Sequence, residues 1–186
     1  MSPPLALSLA PDDAVRAASE RVEVHDNLDP DEPSDWSVAD DPDAVLRLSV
    51  AAVMAELPDL AWPERVGIGV LFGSDDEVAD LNARFRGRPK PTNVLSFPAE
   101  AIAPGDAPPP YLGDLAFAHG VAAAEARERG TDLATHLATL AVHGTLHLIG
   151  HDHETGEAQA DAMERLEARI LARLGLPDPY EGTEPI

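Results

Sequence analysis

Residues 66–72, Val-Gly-Ile-Gly-Val-Leu-Phe, constrain the fold of this chain more than any other stretch. They are apolar and β-branched, which places them as a strand central in a sheet. Ser74 then caps a helix, with Glu77 at the capping-box position, so the chain passes from strand directly into helix. Val78, Leu81 and Phe85 form the core-facing side of that helix, and Arg86-Gly87-Arg88-Pro89 stops it.

The same signals organise the rest. Residues 21–25 alternate and read as a short strand, and residues 93–97 and 111–118 supply two more. Helices are expected over 43–57, where Val45, Leu46, Leu48, Val50, Val53 and Leu57 make a broad apolar face, and over 121–129. A longer helix is N-capped by Asp132, runs to about 149 and stops at Gly150. The last helix spans 154–174. Residues 26–41 are acidic and contain proline, and 98–110 are rich in Pro, Ala and Gly; both read as loops. The expectation is a single α+β domain, a small mixed sheet of about four strands with helices packed on it. Residues 1–20 hold no convincing element and read as a mobile N-terminal extension, residues 21–180 as the domain, and 181–186 as a tail.

The chain has 186 residues, 44% hydrophobic but only 4% aromatic, so its core is built from Ala, Leu, Val and Ile. It has no cysteine, so no disulfide framework exists and a tight transition-metal site must use histidines and carboxylates. A net charge of −21 argues against broad nonspecific nucleic-acid binding, while leaving room for one local basic patch. The apolar stretch at 5–10 lacks a basic n-region and runs into Pro11-Asp12-Asp13, a poor signal peptide. No apolar run approaches a membrane span, so a soluble cytoplasmic protein without a membrane partner is expected.

Of seven histidines, four fall between 143 and 153, in His143-Gly-Thr-Leu-His147-Leu-Ile-Gly150-His151-Asp152-His153. Positions i and i+4 share a helix face, so His143 and His147 reach one metal together. Gly150 permits the positive φ that turns the chain back, and His153 completes the set. Three imidazoles with an open fourth position describe a catalytic zinc site at the end of a long core helix, with one Zn2+, or another divalent transition metal, per chain. The spacing is also that of the metzincin proteases, but their catalytic Glu is replaced by Gly144, which disfavours proteolysis. His151 either supports a ligand, faces substrate or is solvated. Asp152 is placed to orient a ligand imidazole or to serve only as a turn residue. His136 lies two turns before His143, too far to share the metal, and is expected to line the cleft. His25 and His119 are lone and read as structural or solvated.

Arg84, Arg86, Arg88 and Lys90, the only lysine, form the densest positive cluster of an acidic chain. A helix C-terminus accounts for Arg84 and Arg86. It does not account for the cluster running on to Arg88 and Lys90, which an anionic substrate would: the guanidinium is planar, always charged and bidentate toward phosphate.

The histidine block resembles the signature of the YbeY family, bacterial endoribonucleases and rRNA maturation factors. Three further blocks are similar to that family in the same order: Leu81-Asn-Ala-Arg-Phe-Arg86 with Lys90-Pro-Thr-Asn-Val-Leu-Ser-Phe-Pro98, then Leu112-Gly-Asp-Leu115, and the closing Asp178-Pro-Tyr180. The resemblance covers about residues 43–180. It implies zinc ligands at His143, His147 and His153, an important arginine at Arg86, and an α+β fold. It also implies a single-strand-specific endoribonuclease acting on ribosomal RNA and the small subunit, in late 3′-end processing and ribosome quality control. The family commonly has Tyr where His151 stands, and the segments at 1–20 and after Asp26 are longer than usual. No general base is evident; Asp114, His151 and Asp152 are candidates. A noncatalytic ribosome-assembly factor with a structural metal is the alternative, and a metalloprotease the third.

Overall fold

In the computed structural model, which describes residues 9–28, 34–39, 41–152 and 156–180, the apolar segment at 66–72 lies in strand β2, Val66–Gly73. It sits inside a four-stranded sheet with β1 (Val22–His25), β3 (Val94–Pro98) and β4 (Tyr111–Ala118), in the order β1-β2-β4-β3. β1, β2 and β4 run parallel, and β3 closes the edge antiparallel to β4. The α+β expectation with a mixed four-stranded sheet is therefore met.

Alternation along β2 sends Ile68, Val70 and Phe72 to one face, where they join the main core with Leu115 and Phe117 of β4. Helices α2 (Pro42–Glu56) and α5 (Leu133–Leu148) cover this face. α5 touches α2, α4 (His119–Arg129), α6 (Glu157–Arg173), β3 and β4. It is buried nearly all the way round, as its apolar sequence requires. On the other face Leu71, Leu95, Ala116 and Ala118 pack with Val78 and Leu81 of α3 (Asp75–Arg86).

Two regions correct the sequence expectations. Residues 13–19, expected to hold no element, form α1 (Asp13–Ser19), N-capped by Asp12 Oδ1 on the Val15 amide at 2.9 Å. Val15 is fully buried, and α1 packs on α2. The Ala10 and Asp12 amides donate to the carbonyls of Leu174 and Arg173, and Arg173 bridges Asp12 and Glu56, so this segment is tied to the end of α6. A helix of one or two turns is marginal alone and shows little periodicity; its stability comes from this packing.

The second correction lies in the acidic loop, where residues Asp35–Ala39 form a 3₁₀ turn. The turn drives Trp36, 2% exposed, between Phe72, Phe117 and His119, and its indole N–H donates to the Gly73 carbonyl. A Trp held this way is worth about 3–5 kcal/mol over Ala, which anchors the turn at 35–39.

Candidate metal centre and anion cleft

His143 and His147 lie one turn apart at the end of α5, and their Nε2 atoms converge to 3.1 Å. Two nitrogens bound to one tetrahedral zinc stand roughly 3.3 Å apart, given Zn–N bonds of about 2.0–2.1 Å, so the pair has the spacing of a shared ligand position. His143 Nδ1 is held by Glu167 Oε1 at 2.6 Å, and Glu167, on α6, is 2% exposed. A carboxylate on the far nitrogen of a ligand imidazole is the usual support of a metal-binding histidine. With no thiol in the chain, this donor set fits zinc. His153 lies outside the described residues. Among the described residues no group of three or more His, Cys, Asp or Glu side chains gathers around a metal position.

Gly150 ends α5 with φ 89°, while the His151 amide returns to the Leu146 carbonyl at 3.0 Å. A Cβ here would also run into the backbone carbonyl of Ile102, so glycine is required twice over. Gly144 is constrained as well. A Cβ at 144 would stand 2.7 Å from Leu115 Cδ2 and 3.3 Å from Ser96 Oγ, because α5 presses directly on β4 and β3 here. The position that carries the catalytic Glu in metzincins is thus a packing contact in this fold. We expect Gly144→Glu to lose on the order of 3 kcal/mol of stability in urea unfolding, by overpacking and by burial of a carboxylate, and to gain no casein hydrolysis. Wild-type stability in that variant would show that the contact is slack.

The histidine pair opens on a cleft of about 590 Å³ lined by Arg86, Arg88, Thr92, Asn93, Val94, Ser96, His143, His147 and Asp152. Among the described residues its charged side chains other than histidine are two arginines and one aspartate, a local cationic surface on a chain of net charge −21. α3 delivers Arg86. The Ser74–Glu77 capping box starts the helix, three carboxylates occupy its first turn, and Gly87 at φ 67° ends it just after Arg86. Asn82, 5% exposed, donates its side-chain amide to the Lys90 carbonyl at 2.8 Å and folds the following loop back, bringing Arg88 to the same cleft.

Other candidates go elsewhere. Arg84 lies over the Phe85 ring, and Lys90 is not on the cleft wall. His151 is half-buried outside the lining set, and burial holds its imidazole below the usual value. Asp114 is corrected more fundamentally. β4 carries one extra residue between the pairs Gly67–Tyr111 and Gly69–Asp114, so Tyr111 and Asp114 share the face opposite Leu115. There the Tyr111 hydroxyl donates to Asp114 Oδ1 at 2.7 Å, and burial, then that carboxylate, push Tyr111 up to about 12. Asp114 lines a separate, apolar groove on the reverse of the sheet with Phe85 and Phe97.

His136 is corrected too. It does not line the cleft but is 2% exposed against α4, its Nε2 at 2.7 Å from Glu125 Oε2. Burial lowers its pKa, and Glu125 offsets only part of that. Glu125 in turn accepts both contacts of the Asn93 side-chain amide, at 3.2 and 3.1 Å. His136 therefore reaches the cleft only through Glu125 and Asn93. Glu167, Asn82, Asn93 and Ser96 went unrecognised as site residues in the sequence, because isolated polar residues carry no spacing signal.

The family model described as Endoribonuclease YbeY matches residues 36–175. The chain belongs to the YbeY family. Proteins named endoribonuclease YbeY are similar over most of their length. That of Novosphingobium aromaticivorans is 43% identical over 78% of this chain and 90% of the relative. That of Jannaschia sp. is 49% identical over 72% and 88%, and that of Dinoroseobacter shibae 43% identical over 94% and 96%. The solution structure of TM1509 from Thermotoga maritima shares the fold, with a TM-score of 0.52 at 22% identity over 82% of this chain and 88% of that one. Among the described residues no helix is long and apolar enough to cross a membrane.

Proposed function

We propose that this chain is a zinc-dependent, single-strand-specific endoribonuclease acting in the cytoplasm on small-subunit ribosomal RNA, in late 3′-end maturation and ribosome quality control. The name shared by its relatives supports cleavage of RNA. The observation that carries the chemistry is the placement of two convergent imidazoles and two guanidiniums on one cleft.

In this reading His143, His147 and His153 hold the metal. Bound there, zinc would polarise a phosphate oxygen or activate water. Arg86 grips a non-bridging phosphate oxygen pair through its two-pronged edge and stabilises the charge that grows on them, with Arg88 as a second cation. Thr92 and Ser96 present hydroxyl groups along the cleft for ribose hydroxyls. Of the three candidate proton acceptors, Asp152 is the one that lines the cleft among the described residues, and so is the one to test. An edge strand and an open cleft admit an extended single strand.

The test uses the purified full chain on end-labelled single-stranded and duplex RNA and on casein, with and without chelator. The expected result is scission of the single strand, arrest by chelator, recovery with zinc, and intact duplex and casein. Absence of cleavage in a zinc-loaded protein would favour the assembly factor with a structural metal. Chelator-sensitive casein cleavage would favour the protease.

A further inference from the structure

One motif of this sequence, Asp178-Pro-Tyr180, lies off the cleft wall yet reaches the histidine pair. Asp178 Oδ1 accepts the Tyr180 backbone N–H at 2.8 Å, and the proline between them fixes φ and offers no competing donor. The turn returns the chain to α6, where the half-buried Tyr180 donates its hydroxyl to Glu167 Oε2. The other carboxylate oxygen of Glu167 faces His143 Nδ1. The Asp-Pro-Tyr turn is thus linked through one buried carboxylate to the His143 imidazole.

We infer that Glu167 and Tyr180 are positioning residues for the metal. Glu167 accepts from His143 Nδ1–H and thereby selects the tautomer whose Nε2 lone pair points toward His147. Tyr180 fixes the Glu167 carboxylate, which burial alone would leave with one oxygen unsatisfied by that contact. The Asp-Pro-Tyr turn is therefore a strap that sets ligand geometry from a distance, and a chain lacking it would hold zinc loosely. This inference rests on the proposal that His143 is a metal ligand.

The experiment is zinc affinity of the full chain by competition with a chromophoric chelator, together with the visible spectrum of the cobalt(II) form and the melting temperature of the metal-free form. Loss of a support of this kind weakens binding by about 10–100-fold. Glu167→Ala is expected to fall in that range, and Tyr180→Phe to lose less, on the order of tenfold or below. In the Glu167→Ala background Tyr180→Phe should add nothing, because its effect runs through the carboxylate. Should Glu167→Ala fail to fold, Glu167→Gln takes its place, since it keeps the volume and removes the charge. The cobalt spectrum should change in both single variants, which a purely structural role would not produce. Wild-type affinity and spectrum in Tyr180→Phe would overturn the inference alone. An additive loss in the double variant would do the same, since Tyr180 would then act independently of Glu167. A wild-type chain that binds no zinc would overturn the metal reading as well, which separates the two failures.

Discussion

His147→Ala is expected to reduce zinc from about one per chain to near zero and to abolish RNA cleavage. A catalytic metal contributes several kcal/mol of transition-state stabilisation, so its loss lowers the rate on the order of 10³-fold or more. His143→Ala should behave alike, since the two Nε2 atoms converge to 3.1 Å. The informative contrast is His136→Ala on the same helix. His136 is buried against Glu125 and sits two turns away, so its removal should cost about 1–3 kcal/mol of stability while zinc is retained. Metal analysis and thermal unfolding on the same preparations separate the two classes. Full zinc occupancy in a His143→Ala/His147→Ala double variant would refute the assignment of the site.

Arg86→Lys is expected to lower RNA cleavage by about 10–100-fold, and Arg86→Glu by about 10³-fold. Lys keeps the charge but cannot form two parallel hydrogen bonds to one phosphate, while Glu reverses the sign beside an anionic substrate. Arg86 is exposed in the last turn of α3 and lines the cleft, so zinc content and melting temperature should barely move in either variant. If Arg86 served only the helix dipole, Lys would replace it at little cost, because that interaction needs charge and not shape. Equal cleavage by wild type, Arg86→Lys and Arg86→Glu would remove Arg86 from the chemistry. Arg88 lines the same cleft, so an Arg86→Lys/Arg88→Lys pair should lose more than either alone.

Gly144 shows how one residue serves two arguments. In the sequence it counts against proteolysis because a general base is missing. In the structure it is where α5 meets Leu115 and Ser96, and the Ser96 hydroxyl donates to its carbonyl at 3.4 Å. The missing carboxylate and the close helix–sheet contact go together, since a residue without a side chain leaves Leu115 and Ser96 room against α5.

The features legible in the sequence alone were those with a short-range physical cause. The capping box at Ser74 and Glu77, the Asp132 cap, the glycine stops at 87, 130 and 150, and the apolar run of β2 each involve residues a few positions apart. They defined the central strands and helices and placed His143 and His147 on one helix face. What only the tertiary structure decided depends on contacts between distant segments. Helix α1 and the turn carrying Trp36 are too short to persist without α2 and the sheet beneath them. The extra residue in β4 brought Tyr111 onto the face of Asp114, which strict alternation along the strand does not predict. Glu125 chose the direction of His136, and Glu167, 24 positions from His143, became its partner because α6 packs beside α5. A local pattern records which face a side chain takes on its own element; which partner waits on that face is settled when the elements pack.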